Sequence, residues 1–266
     1  MSSSSTPEPA PQQPQAVELS TGKPWGFWAT VGFSLVILFA WLVVQVVVTV
    51  VYLFGAPSGR ALFDKNPLGV DPAKISNDGT LLALATTCTG ILFPPLCILF
   101  AWLKRGISTQ KYLGLVRAPT RQTLGWLGAG LLFAAVSDTV TWLLGRPIVP
   151  EFMDHAYRSA AFVPLLWFAV VVGAPLFEEF FFRGFALAGL RYSRLGAIGA
   201  VLLTALGWTA LHTQYDLIDL SDLFLFGLLL GYARIRSGSL FVPIGMHALN
   251  NLWATVEAAI KVRYSS

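Results

Sequence analysis

The sequence predicts an all-α fold, a polytopic bundle of transmembrane helices, and three observations carry that prediction. Of the 266 residues, 55% are hydrophobic and 12% charged, with a mean hydropathy of +0.64. A soluble domain carries about 25% charged residues, and no soluble core of this length could hide so much apolar surface. The apolar residues also fall into runs near the roughly 20 residues that span a bilayer. A few ionisable residues are embedded inside those runs.

The N-terminus opens with MSSSSTPEPAPQQPQAVELSTG, residues 1–22. Ser, Pro and Gln dominate it and large apolar residues are almost absent, so it cannot bury enough surface to fold and is expected to be a disordered tail. It lacks the basic start and early apolar run of a signal peptide. Residues 23–266 are expected to form a single transmembrane domain. Seven apolar segments follow, at 26–54, 81–103, 124–144, 162–190, 195–213, 219–235 and 240–260. The sixth is short and interrupted by Gly227 and Gly231. An eighth span would require residues 145–260 to be divided differently.

Lys and Arg cluster at segment ends. With the N-terminus inside, ten of them (Lys23, Lys104, Arg105, Lys111, Arg117, Arg121, Arg191, Arg194, Arg234 and Arg236) fall on the cytoplasmic side. Seven (Arg60, Lys65, Lys74, Arg146, Arg158, Lys261 and Arg263) fall on the other side. The bias is mild but has the sign that orients membrane proteins. The net charge of +4 is modest, and this placement suits membrane topology rather than nucleic-acid binding. Membrane lipid is thus an expected partner and nucleic acid is not. Cys88 and Cys97 lie about 13 Å apart along one helix, too far for a disulfide within it. There is no CxxC and no Cys/His spacing typical of zinc.

Charges near the bilayer centre are costly and usually mark function. Segment four reads Gly-Ala-Pro175-Leu-Phe-Glu178-Glu179-Phe-Phe-Phe-Arg183-Gly, segment five ends in Trp208-Thr-Ala-Leu-His212, and segment seven contains His247-Ala-Leu-Asn250-Asn251. Glu179 and Arg183 are four apart and can pair on one face. Glu178 is rotated from Glu179 by about 100° and points elsewhere. His247 and Asn251 again share a face. At 1.5 Å per residue, Glu178 lies about 18 Å and Asn251 about 17 Å from the cytoplasmic ends of their helices, His247 about 11 Å and His212 about 25 Å. These four can meet in one intramembrane cavity, which places the expected chemistry near the cytoplasmic half. Blander readings exist for each: a buried ion pair, a histidine bonded at a helix end, and polar glue between helices. His155 is expected to face solvent.

These motifs resemble those of the CAAX-protease and bacteriocin-processing family of intramembrane proteases, which includes the type II CAAX prenyl endopeptidases. That family shows Glu-Glu-x-x-x-Arg, then Phe-x-x-x-His, then His-x-x-x-Asn or Asp on successive helices. The resemblance covers about residues 160–255, with Trp208 standing where Phe is usual. It implies an intramembrane endopeptidase that hydrolyses a peptide bond of a membrane-associated protein or peptide, of CAAX or bacteriocin-processing type. It further implies that Glu178 and His212 activate a water, that His247 and Asn251 form the oxyanion site, and that Glu179 and Arg183 support them. The expected location is a bacterial inner (plasma) membrane. No cofactor is expected. Zinc held by Glu178, His212 and His247 is the alternative, since the family was long read as metalloendopeptidases, although no HExxH is present. The other class of function left open is a non-catalytic membrane protein of the same fold, with an immunity, scaffold or transport role.

Overall fold

The computed structural model describes residues 22–60, 62 and 72–264, so the tail expected to be disordered lies outside the described residues, apart from Gly22. Among the described residues there are helices and no strands. Seven long helices stand where the apolar segments predict them: α1 Phe27–Gly55, α2 Gly79–Trp102, α3 Thr120–Leu143, α4 Val163–Leu190, α5 Gly196–Thr209, α6 Leu217–Ser237 and α7 Phe241–Tyr264. Short helices occupy Pro57–Arg60, Pro72–Ser76, Thr109–Leu113 and Glu151–Ser159. Of the seven, α1 to α4 are long and apolar enough to cross a membrane by length and composition. Helix α5 is apolar but shorter, and α6 and α7 carry Asp219, Asp222, Arg234, Glu257 and Lys261 within their length.

Helix α4 is the axis of the bundle. It packs against α2 and α7 and touches α1, α5 and α6. Its phenylalanines Phe177, Phe181 and Phe185 join Phe93 and Cys97 of α2, Trp208 of α5, Phe226 of α6 and Met246 of α7 in one buried core. Helix α1 is peripheral, and Leu35, Phe39, Leu42, Val46 and Val50 along it are exposed, the lipid-facing surface that a membrane-spanning bundle requires. Cys88 and Cys97 both lie on α2 and are free thiols.

Helix α4 departs from α-geometry twice, in π-helical turns at Ala169–Gly173 and Glu179–Ala186. Pro175 has no N–H to donate one turn back, and a π-turn immediately before it absorbs the mismatch. At that turn α2 and α4 cross closely. A Cβ on Gly90 would lie 2.6 Å from the Cα of Gly173, so only glycine allows the two backbones to meet there.

The two ends of the bundle differ. At one end Trp25 Nε1 donates to the Phe100 carbonyl at 2.9 Å, the Leu240 N–H donates to the Gly114 carbonyl at 2.7 Å, and Arg234 donates to the Leu113 carbonyl at 3.0 Å. Gln122 donates to the Arg236 carbonyl on the same end. The basic segments at 22–26, 103–122 and 234–241 thus come together. At the other end Arg146 pairs with Asp216 at 2.6 Å and Asp219 at 3.1 Å, Lys261 donates to the Val149 carbonyl, and Ser159 accepts from the Gly79 N–H. Exposed Asp216 caps α6 through the N–H groups of Ile218 and Asp219. Those bonds, from the Asp219 N–H above all, and then Arg146, hold its carboxyl below the usual carboxylate range.

Candidate active site

Glu178 and Glu179 are split by helical rotation as the sequence predicts. Glu179 is fully buried, and its Oε1 accepts from Arg183 at 2.8 Å. Arg183, also fully buried, donates to the Gly227 carbonyl at 3.2 Å and lies over the indole of Trp208, 4.7 Å from its centroid. A Cβ on Gly227 would stand 3.1 Å from Trp208 and 3.3 Å from Arg183. The residue that weakened the sixth apolar segment is what admits the guanidinium. The same Glu179 oxygen sits 2.9 Å from Nδ1 of His247. Glu179 therefore supports two site residues, where the spacing alone showed one.

Glu178, rotated away from Arg183, has neighbours of its own. It faces a cavity of about 410 Å³ and accepts a short hydrogen bond from the indole N–H of Trp208. Its second neighbour is His247, whose Nε2 lies 3.8 Å from Glu178 Oε2. His212 borders the same cavity but is not in an α-helix. Helix α5 ends at Thr209, and tight backbone bonds from Leu211 to Trp208 and from His212 to Thr209 carry the chain round a turn. The His212 Nδ1 is 2.9 Å from the Trp208 carbonyl. A carbonyl only accepts, so Nδ1 carries the hydrogen, and in the neutral ring Nε2 is left as an acceptor. Glu178 and His212 are not bonded to each other among the described residues. Trp208 holds both, one through its indole and the other through its backbone.

His247 is buried, and its ring meets the Trp208 ring edge-on at 5.3 Å. Asn251, one turn on, donates from Nδ2 to the Val170 carbonyl at 2.8 Å. Val170 lies in the first π-turn of α4, where the widened ladder gives a side chain access to backbone carbonyls. One Asn251 N–H is so occupied, and the other has no partner among the described residues. Glu178, His212, His247 and Asn251 all line the one cavity, while Glu179 and Arg183 lie behind it. His155 is exposed and apart from it.

Further residues of the cavity carried no motif. Asp138 and Glu257 share the indole N–H of Trp253, at 2.7 and 2.9 Å, and Asp219 and Asp222 stand in the same wall. Among the described residues the cavity has no Lys or Arg in its lining, although Arg146 pairs with Asp219 at its edge. Spacing could not reveal this group, because its members come from α3, α6 and α7 and meet only through the fold. Among the described residues no three His, Cys, Asp or Glu side chains form a group able to hold a metal ion. Both histidines bond through Nδ1, His212 to the Trp208 carbonyl and His247 to Glu179, which leaves each Nε2 facing outward from those bonds.

Residues 160–253 match the family model of the Rce1-like type II CAAX prenyl endopeptidases. An uncharacterised 24.3 kDa protein of Escherichia coli is 33% identical over 165 residues, which span 59% of this chain and 72% of the relative. The chain belongs to the Rce1-like family. The matched stretch runs from just before α4 into α7 and contains all six residues of the three motifs. No solved structure matches the chain. Family and apolar helices together make this an integral membrane protein of a peptidase family, with a protein or peptide as the family's kind of substrate.

Proposed function

We propose that this protein is an intramembrane endopeptidase of CAAX or peptide-processing type that uses Glu178 to activate a water, without a metal. The observation that supports it best is the placement of Glu178: in the wall of a membrane-embedded cavity, with one oxygen held by Trp208 and His247 facing it. A carboxylate so aimed can take a proton from a water lodged in the cavity.

In this reading, Nε2 of His212 and Glu178 share the water, and its proton passes to them as the oxygen attacks the peptide carbonyl. The new C–O bond leaves a tetrahedral carbon with charge on the former carbonyl oxygen. The uncommitted N–H of Asn251 and Nε2–H of His247 stabilise that charge. With Nδ1–H bonded to Glu179, His247 donates from Nε2 in its doubly protonated form. Preorganised donors in a dry site are worth most where charge develops. The C–N bond then breaks, and the stored proton goes to the leaving amine. Glu179 and Arg183 hold His247 and do not touch substrate. The proposed location is a bacterial plasma membrane.

The test is a quenched fluorescent peptide library offered to purified protein in proteoliposomes. Wild type is expected to hydrolyse members of it, with and without a strong chelator, and Glu178→Gln to hydrolyse none. Activity lost on chelation and restored by stoichiometric zinc would overturn the metal-free assignment. Full activity in Glu178→Gln would overturn the role of Glu178.

A further inference from the structure

Burying a guanidinium is costly unless a carboxylate pairs with it. Arg146 has Asp216 and Asp219, Arg158 has Asp154, and fully buried Arg183 has Glu179. Arg234 is the exception. It stands in the last turn of α6 and is only 3% exposed, yet among the described residues no carboxylate pairs with it. The segments around it, 103–121, 191–196 and 234–241, contain no Asp or Glu. Its Nη2 donates to the Leu113 carbonyl at 3.0 Å, and its buried Nε has no acceptor among the described residues. The place is nonetheless built for it. Gly114 lies against the guanidinium at φ +73°, and a Cβ there would collide with Nη2 and stand 2.8 Å from the Gly238 carbonyl. Only glycine leaves that room.

The nearby charge has the same sign. Arg191, which caps the end of α4, stands close enough to act on Arg234. Its guanidinium donates to the Tyr192 hydroxyl at 2.5 Å and lies 4.6 Å from that ring's centroid. The C-termini of α4 and α6 offer about half a negative charge each, against two full positive ones. One buried and one half-buried guanidinium therefore stand beside a phenol hydroxyl, with no anion of the described chain to balance them. Such a donor set fits a phosphate, which guanidinium groups bind through paired, charge-assisted hydrogen bonds. The surroundings point to the phosphate's source. Tyr192 and Tyr232 are exposed, as are Ile198 and Leu202 along α5. Tyrosines beside a lipid-facing apolar surface mark the depth at which headgroups lie.

We infer that Arg191 and Arg234 hold the phosphate of an anionic phospholipid whose acyl chains lie along the exposed face of α5. The lipid supplies the counter-charge that the chain withholds from Arg234, as basic pockets between membrane helices do for acidic headgroups. Neither arginine lines the catalytic cavity, so the site is separate from it and does not depend on the endopeptidase reading.

Native mass spectrometry tests this on the full-length protein, delipidated in detergent and titrated with phosphatidylglycerol or phosphatidylcholine. Both lipids carry a phosphate, and only the first carries a net charge. Wild type is expected to retain one phosphatidylglycerol about tenfold more tightly than phosphatidylcholine, the effect of one good charged contact. Arg191→Gln, at a half-buried position, is expected to fold and lose that preference. Arg105→Gln, exposed in the loop after α2, is expected to keep it. Equal retention of the two lipids by wild type, or an unchanged preference in Arg191→Gln, overturns the site. Loss of the preference in Arg105→Gln as well overturns it too, because the attraction is then spread over the basic surface. Millimolar inorganic phosphate is expected to leave the bound lipid in place, and displacement by it overturns the lipid as the source of the phosphate. Arg234→Met is expected to lose the preference and, in lipid-free detergent, to melt no lower than wild type, since it removes a charge left without a partner. A retained preference in that variant, or a melting temperature far below wild type without lipid, overturns the part assigned to Arg234.

Discussion

Trp208 binds the site together: its indole donates to Glu178, its carbonyl accepts from His212, and its ring lies under Arg183 and against His247. In the sequence it is only an aromatic residue where the family usually has Phe, and nothing local signals that its N–H reaches a carboxylate thirty positions back. Trp208→Phe keeps the ring and removes the donor. It is expected to fold and to lower turnover by about 10- to 150-fold, a hydrogen bond to a charged group being worth ~1.5–3 kcal/mol. Turnover unchanged from wild type, measured on a cleaved library peptide, would contradict that role. Loss of His212 as proton acceptor is expected to cost about 10²- to 10⁴-fold, and His212→Ala assayed on the same peptide checks it. Glu179→Ala acts differently, because it leaves the buried Arg183 without its carboxylate. Breaking a buried pair costs about 3–5 kcal/mol, so this variant is expected to melt far below wild type in detergent, whereas Glu178→Gln melts close to it.

At the scale of elements, apolar length and periodicity located all seven long helices to within a few residues, because lipid leaves a backbone few alternatives to the helix. Two features were not legible. The π-turns of α4 arise from Pro175 and from the Gly90–Gly173 crossing, and a crossing depends on which helices meet. The end of α5 at Thr209 was also hidden, since the apolar run continues past it to Leu211. Gly227 shows how a local weakness becomes a requirement once Arg183 is in place. Gly227→Leu would push against Trp208 and Arg183 together, and overpacking of this kind costs about 1–3 kcal/mol; lowered thermal stability and lowered turnover are the expected outcome. Asp216 gives α6 a pH signature. Its folded carboxyl titrates below its unfolded value near 4, so its stabilisation is complete above that value and fades as the pH falls through the folded one. The melting difference between wild type and Asp216→Ala is accordingly expected to be largest near neutral pH and to shrink in acid.

On the scale of the whole molecule, the ten Lys and Arg of one side sit at one end of the bundle, and the cavity lined by the three motifs lies toward the other. The candidate residues were legible because an ionisable side chain in an apolar helix must be explained. Their partners were not, because Glu179 with His247, Asn251 with Val170 and Glu178 with Trp208 are contacts between elements. The group of Asp138, Asp222 and Glu257 in the cavity wall was invisible for the same reason. The account stands on Glu178 as the group that makes this membrane protein a peptidase. Its most direct test compares protein N-termini in membranes of cells expressing wild type or an equally abundant, equally stable Glu178→Gln variant. The account predicts a set of new N-termini that appear with wild type and vanish with the variant. Identical termini in the two membranes would contradict it.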